Sequence, residues 1–226
     1  MMTDMALMLP SLLSARDRFH LWETVIGTVQ PRAMAEIGVW KGEFAARILS
    51  ACPSVQSYYM VDPWASLPDW NKPWNVDSVT FADVYAEAMA VTEFAAGRRK
   101  VLRGRTTEVV PEIPDDSLDF VYVDGDHTLR GISIDLITMW DKVRPGGLIG
   151  GDDLCPSIWQ HERNFEPTLI FPFVVYFAEA RRAPIYLLDH YQFLIQKPDG
   201  PSDFSCIDLT GGRYSERSLR RQLSQI

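Results

Sequence analysis

Two short apolar runs in this chain end in acids. Phe120-Val121-Tyr122-Val123 leads into Asp124-Gly125-Asp126-His127, and Gly147-Leu148-Ile149-Gly150 leads into Gly151-Asp152-Asp153. Taken as neighbouring parallel strands, they bring Asp124 together with Asp152 and Asp153 at their C-terminal ends. Adjacent strands lie ~4.8 Å apart, so three carboxylates there repel one another unless a cation sits among them. Carboxylate oxygens suit a hard divalent ion, which makes Asp124, Asp152 and Asp153 the expected ligands of Mg²⁺ or Mn²⁺. The competing reading has some of these acids capping the helices that follow. His127 lies three residues after Asp124. An imidazole titrates near neutral pH and suits a general base, with Asp126 either the competing base or the group that orients it.

A further motif lies upstream, in Glu36-Ile37-Gly38-Val39-Trp40-Lys41-Gly42. A strand over Arg32–Ile37 runs into a glycine turn and then into a helix over Glu43–Ser50. The glycines let the backbone pass close to a ligand at the crossover. The spacing is G-x-x-x-G after an acid, unlike the G-x-G-x-x-G that cradles a pyrophosphate. Glu36 would repel a pyrophosphate, whereas a ligand with an amino group and a sulfonium suits an acidic strand end. Asp62 closes the next strand, 24 positions after Gly38. That spacing suits a carboxylate accepting hydrogen bonds from ribose hydroxyls; the alternative is a turn cap before Pro63.

These residues need a scaffold, and the chain supplies one of alternating strands and helices. Residues 14–29 read as a leading amphipathic helix carrying Phe19, Leu21, Trp22, Val25 and Ile26. After the first strand and helix come a strand over Ser57–Val61, a Pro- and Trp-rich loop from Pro63 to Trp74, and a helix over 77–95. A strand over Lys100–Arg103 and a short helix after Thr106 follow. The acid-tipped strand Leu118–Val123 leads into a helix over 129–143, which the Arg144-Pro145-Gly146-Gly147 turn stops. The next strand is Leu148–Gly150. Residues 154–169 read as an irregular loop and Phe171–Arg182 as a helix. Strands Pro184–Leu188 and Gln192–Gln196 form a hairpin, and 198–226 is a polar segment packed at the periphery. The pattern predicts an α/β fold with a mostly parallel sheet covered on both faces. The expected organisation is a single domain over 1–226: a helical extension at 1–29, a core at 30–197 and the segment 198–226.

The 226 residues are 46% hydrophobic and 23% charged, ordinary for a globular domain. A net charge of −8 argues against non-specific nucleic-acid binding. Cys52, Cys155 and Cys206 are widely separated, which excludes a C-x-x-C zinc ribbon and fits a reducing cytoplasm. The apolar start, Met1 to Pro10, has no basic n-region and carries Asp4, unlike a signal peptide, and no run is long enough to span a bilayer.

Taken together, the motifs resemble those of the class I S-adenosylmethionine-dependent methyltransferases. They are most similar to the small metal-dependent branch that includes macrocin-type O-methyltransferases, with catechol O-methyltransferases as distant relatives. The resemblance covers roughly residues 30–197 and rests on Glu36–Gly42, Asp62, Gly104-Arg105-Thr106-Thr107-Glu108, Val123–His127 and Gly151-Asp152-Asp153. It implies a Rossmann-like fold with seven strands in the order 3-2-1-4-5-7-6, strand seven antiparallel. It implies S-adenosylmethionine held by Glu36, Gly38, Gly42, Asp62, Gly104, Thr106 and Asp124, and Mg²⁺ or Mn²⁺ held by Asp124, Asp152 and Asp153. Catechol-type relatives have a lysine base at the offset of His127; the macrocin-like branch has histidine.

The function expected is methylation of a hydroxyl on a small molecule, a sugar, phenol or other secondary metabolite. Neither a nucleic acid nor a membrane is expected as partner. The leading helix and the C-terminal segment offer surfaces for a homo-oligomer. Two alternatives stand beside this: metal-independent methylation at oxygen or nitrogen, and a catalytically inactive cofactor-binding protein. Trp64, Trp70, Trp74, Trp159, Phe165 and Phe171 sit in or beside the segments expected to overhang the site, where they would form an acceptor pocket or anchor loops. His161 has a lesser claim on the substrate. Ile132, Ile134, Leu136, Ile137 and Trp140 read as core.

Overall fold

The computed structural model describes residues 12–214. The elements, in chain order, are α1 (Arg18–Val29), β1 (Ala33–Ile37), α2 (Glu43–Ala51), β2 (Ser57–Asp62), α3 (Ser78–Val91), β3 (Arg99–Arg103), α4 (Thr106–Val109), β4 (Leu118–Val123), α5 (Leu129–Lys142), β5 (Val143–Gly151), α6 (Ile170–Ala180), β6 (Pro184–Leu188), β7 (Gln192–Gln196) and β8 (Ser205–Asp208). Asp17, Asp77 and Thr128 cap α1, α3 and α5 with side-chain oxygens that accept from free backbone N–H groups of the first turn.

The strands form one sheet in the order β3-β2-β1-β4-β5-β7-β6-β8. β7 runs antiparallel to both its neighbours, and the pairings among β1 to β5 are parallel. This is the Rossmann-like methyltransferase arrangement expected, with one correction. The sheet has eight strands rather than seven, because Ser205–Asp208 pairs in parallel with β6 at the edge. That stretch lies in the segment read as peripheral; its strand is four residues long and is exposed or half-buried, so it carries no apolar alternation to announce it. Residues 1–11 of the expected helical extension and 215–226 of the expected peripheral segment lie outside the described residues. A second difference is β5, which starts at Val143, five residues earlier than expected. The Pro145-Gly146 turn is absorbed as an irregularity between the Leu118–Val143 and Phe120–Leu148 pairs instead of separating helix from strand.

The central strands are buried on both faces, and successive side chains alternate between them. Ala35, Ile37, Val61, Val121 and Val123 pack on one face, against Ile132, Leu136, Val174 and Phe177 of α5 and α6. Met34, Tyr58, Met60, Phe120 and Tyr122 pack on the other, with Leu21, Trp22, Phe44, Ile48 and Phe81 of α1, α2 and α3. Trp22 is fully buried, with edge-to-face contacts to Phe120 at 5.5 Å and Tyr122 at 5.2 Å. It occupies the space that a side chain on Gly150 would need: a Cβ there would lie 2.1 Å from the Trp22 ring. The leading helix is thus seated over β4 and β5 by a notch in the strand that ends in the acids. Among the described residues no helix is long and apolar enough to cross a membrane.

Candidate active site

The carboxyl ends of β1, β2, β4 and β5 open into a cavity of about 630 Å³. This is where an open α/β sheet binds ligands, beside the reversal of strand order between β1 and β4. Glu36, Gly38, Asp62, Gly104, Thr106, Asp124, Asp126, His127, Asp152 and Asp153 all line it. Gly42 does not. It sits at the N-cap of α2 with φ 77°, and a Cβ there would press on the Ala88 backbone at 3.1 Å, so its place is in the packing of α2 on α3.

One half of the cavity is built by the turn after β1. Gly38 has φ +84°, and a Cβ on it would lie 2.1 Å from the Asp124 carbonyl oxygen. Its N–H donates to the Val61 carbonyl oxygen at 2.9 Å, while Asp124 N–H donates to Ile37 O at 2.8 Å. Three strand ends are therefore held together at one glycine. Asp62 organises the turn from below: Oδ2 accepts from Val39 N at 2.9 Å and Trp40 N at 3.0 Å, and Oδ1 accepts from Trp64 N at 2.7 Å. Both sequence readings of Asp62 thus have a footing, since it caps the turn and also faces the cavity. Glu36 is buried and accepts from the Tyr58 hydroxyl at 2.7 Å; burial pushes its pKa well above the carboxylate range. Thr106 donates to Asp135 Oδ1 at 2.6 Å, and burial raises Asp135 to about 7. Asp135, Arg130 and Ile134 of α5 also line the cavity, and of the apolar stripe on that helix only Ile132, Leu136 and Trp140 are buried.

The other half is the acidic cluster. One ligand atom each from Asp124, His127 and Asp153 lie within 4.8 Å of one another. Nδ1 of His127 pairs with Asp153 Oδ2. Nε2 lies 3.4 Å from Asp124 Oδ1, yet it is buried without a hydrogen-bond partner. Burial alone would lower the pKa of His127, but the Asp153 and Asp124 carboxylates outweigh it and push it up to about 10. The imidazolium in turn draws Asp153 below the usual carboxylate range, against the effect of burial.

Asp152, the third acid expected at the metal, is engaged by the protein itself. Asp152 has protein partners on both oxygens: Oδ1 accepts from Gln192 Nε2 at 2.5 Å and Asp153 N at 2.7 Å, and Oδ2 accepts from Arg18. Burial, with Asp124 and Asp153 adding to it, raises Asp152 to about 7. The groups whose ligand atoms converge are Asp124, His127 and Asp153, with Asp152 adjacent. Asp126 is likewise held: Oδ1 accepts from Trp70 Nε1 and Thr128 N, both at 3.0 Å, and Oδ2 accepts from Thr128 Oγ1 at 3.0 Å. Three donors tie it to the turn before α5, which is the anchoring role weighed against its being a base.

Two loops cover this end. Residues 63–77 and 154–169 are joined by Asn71 N to Glu166 Oε2 at 2.8 Å, Asn71 Nδ2 to Asn164 O at 2.7 Å and Glu166 N to Asn71 O at 3.1 Å. Trp70, Trp74, Gln160 and His161 reach the cavity. Trp64 is instead buried beneath it, with its Nε1 donating to Trp40 O at 2.8 Å, and Phe171 packs on Tyr214. Gln160 donates to Asp153 Oδ1 at 2.7 Å, linking the second loop to the cluster.

Sequence reasoning missed two cations here. Lys72 is buried and lines the cavity, donating to Glu166 O at 2.8 Å and Thr168 Oγ1 at 3.2 Å; burial lowers its pKa. Arg18, from α1, places Nη1 on Asp152 Oδ2 and 3.4 Å from Asp124 Oδ2. Three clustered carboxylates signal that some cation is near, but no local spacing says it comes from a helix more than 100 positions away.

Comparison with the curated proteins finds no significant match. Solved structures are similar in fold. Cofactor-bound Rv0187 from MTB is 14% identical, with a TM-score of 0.55 over 87% of this chain and 90% of that one. The O-methyltransferase TomG from Streptomyces achromogenes, involved in tomaymycin synthesis and solved in complex with SAM, is 16% identical, with a TM-score of 0.55 over 81% and 80%. The SAH-bound Podospora anserina methyltransferase PaMTH1 is 15% identical, with a TM-score of 0.54 over 87% and 89%. Residues 35–154, 120 of the 226, match the family described as a methyltransferase domain. That match spans both halves of the cavity, from the turn after β1 to the acids after β5, and the chain belongs to this methyltransferase family.

Proposed function

We propose that the protein is an S-adenosylmethionine-dependent O-methyltransferase that acts on a small-molecule hydroxyl with the help of a divalent ion. The observation that carries this is one cavity with two chemically distinct halves: a glycine turn backed by Glu36 and Asp62, and beside it the Asp124–His127–Asp153 cluster. Gly38, Gly104 and Thr106 would line the cofactor, Asp62 would meet its ribose, and Glu36 and Asp124 would face its charged end. The SAH-bound PaMTH1 and the SAM complex of TomG share the fold.

Methyl transfer is an in-line displacement at carbon, in which the bond to acceptor oxygen forms as the bond to sulfur breaks. The sulfonium already activates the methyl, so the protein has to orient the acceptor and take its proton. The Asp124 and Asp153 carboxylates converge beside His127, and their oxygens suit a divalent ion, leaving the buried Nε2 of His127 without a protein partner. Asp124 and Asp153, with His127 beside them, would hold it; when bound, it would lower the pKa of the acceptor hydroxyl. His127 is the proposed base, since it is the imidazole at the cluster, whereas Asp126 is committed to its three donors. Trp70 and Trp74 give the acceptor end apolar walls, in keeping with a ring-bearing substrate.

Calorimetry tests the cofactor assignment. S-adenosylhomocysteine is expected to bind one to one. Asp62→Ala is expected to weaken it at least tenfold, because the change removes the acceptor of three backbone N–H groups as well as any contact to ribose. Unchanged affinity in Asp62→Ala would take Asp62 out of the site. Tighter binding of NAD than of S-adenosylhomocysteine would overturn the assignment.

A further inference from the structure

The acids that the sequence marks as needing a cation already have one from within the chain. Arg18 Nη1 reaches Asp152 Oδ2 and stands 3.4 Å from Asp124 Oδ2. Its helix is fixed independently of that contact: Leu21, Trp22, Val25 and Ile26 are fully buried. Trp22, one turn after Arg18, donates Nε1 to Gln192 Oε1 at 2.7 Å, and the same Gln192 donates to Asp152. Helix α1 is therefore connected to Asp152 twice, directly through Arg18 and through Gln192. The Arg18 side chain is 37% exposed and lines the cavity, so it has room to leave the carboxylates without unpacking the helix.

We propose that Arg18 is the resident counter-charge of the acidic cluster and competes with a divalent ion for it. In the free protein the guanidinium holds Asp124 and Asp152 together. An ion binding at Asp124 meets the positive charge of the guanidinium a few ångströms away and is held more weakly for as long as Arg18 stays on the carboxylates. Repulsion between like charges at that range is large in a partly buried site and little screened by salt. Helix α1 thereby sets how tightly, and in competition with what, the cluster takes a cation. This inference rests on the divalent-ion reading above and extends it to a residue outside the matched family segment, 35–154.

The test is titration of Mn²⁺ into the full chain without cofactor or acceptor, followed by calorimetry and by the loss of the free-ion electron paramagnetic resonance signal. Arg18→Met is expected to bind Mn²⁺ at least tenfold more tightly than the wild type. Arg18→Lys, which keeps the charge, is expected to stay within about threefold of the wild type, since charge rather than shape carries the effect. Binding by Arg18→Met alone, with none by the wild type, would support the competition in its strongest form. Mn²⁺ binding to the wild type with no tightening in Arg18→Met would overturn the competition and leave the divalent-ion reading standing. Equal tightening in Arg18→Met and Arg18→Lys would trace the effect to disturbed packing of α1 and also overturn it. No binding to either protein at millimolar Mn²⁺ would remove both the competition and the divalent-ion reading. Should Arg18→Met lose a cooperative melting transition, Arg18→Gln replaces it in the same comparison.

Discussion

His127→Ala is expected to lower kcat by ~10²–10⁴-fold, the usual contribution of a positioned general base. Affinity for S-adenosylhomocysteine should stay near that of the wild type, because the imidazole belongs to the acidic cluster and not to the glycine turn. The pH dependence gives a second readout. Asp153 and Asp124 favour the imidazolium up to about pH 10, so the basic form grows as pH rises and the wild-type rate should climb above pH 7. An ordinary imidazole would level off sooner, near 6.5. Whatever neutralises Asp124 and Asp153 brings that pKa down and moves the climb to lower pH. The same shift has a stability consequence of fixed sign. The folded-state pKa is raised above the unfolded value, so the stabilising ion pair is complete below about pH 6.5 and fades as pH rises towards 10. The melting-temperature gap between wild type and His127→Ala should therefore narrow over that window. A variant with near-normal kcat at pH 7 would make His127 structural. The base would then be sought at Asp126, by asking whether Asp126→Asn is inactive while folded.

Gly38→Ala should be nearly as damaging, for a different reason. The residue has φ +84°, and its new Cβ would meet the Asp124 carbonyl oxygen at 2.1 Å, its carbon at 2.5 Å and Gly125 Cα at 2.7 Å. All three are backbone atoms at the tip of β4, so no rotamer can relieve the contact. Left-handed strain of ~1–3 kcal/mol and overpacking of similar size both apply. Relief means parting the ends of β1 and β4, which is where both halves of the cavity meet. A fall in S-adenosylhomocysteine affinity of ~10²-fold or more and a lower melting temperature are expected, since each tenfold is only ~1.4 kcal/mol. Gly97→Ala, where a Cβ meets nothing within 4 Å and φ is not positive, serves as the control and should change neither. Normal affinity in Gly38→Ala would mean that the turn after β1 does not hold the cofactor.

Much of this was legible in the sequence because the informative residues lie at strand ends. An apolar run followed by an acid and a glycine fixes the residue's height along a strand, and in a parallel sheet all such ends fall on one side. That is why Glu36, Gly38, Asp62, Asp124 and Asp152 read from the sequence as neighbours, and they line one cavity. What was not legible depends on partners distant in the chain. The partners that engage Asp152 are Gln192 and Arg18, 40 and 134 positions from it. No pattern around Asp152 encodes those partners. Lys72 reads as a loop charge, and only its contacts with Glu166 and Thr168 in the second loop make it a buried one. β8 is not legible because an edge strand half open to water needs no apolar alternation, and the early start of β5 is not because Pro145 and Gly146 read as a stop, whereas the sheet accommodates them as an irregularity.

The central claim joins the two halves of the cavity into one reaction, and one measurement addresses both. Purified protein would be given S-adenosylmethionine and a panel of acceptors with adjacent hydroxyls, phenolic and sugar-like, and the formation of S-adenosylhomocysteine followed. Acceptor-dependent turnover is predicted, abolished by excess EDTA and restored by Mg²⁺ or Mn²⁺. Turnover that continues undiminished in excess EDTA would contradict the account, leaving the Asp124–His127–Asp153 cluster, with Arg18 beside it, to work without a metal.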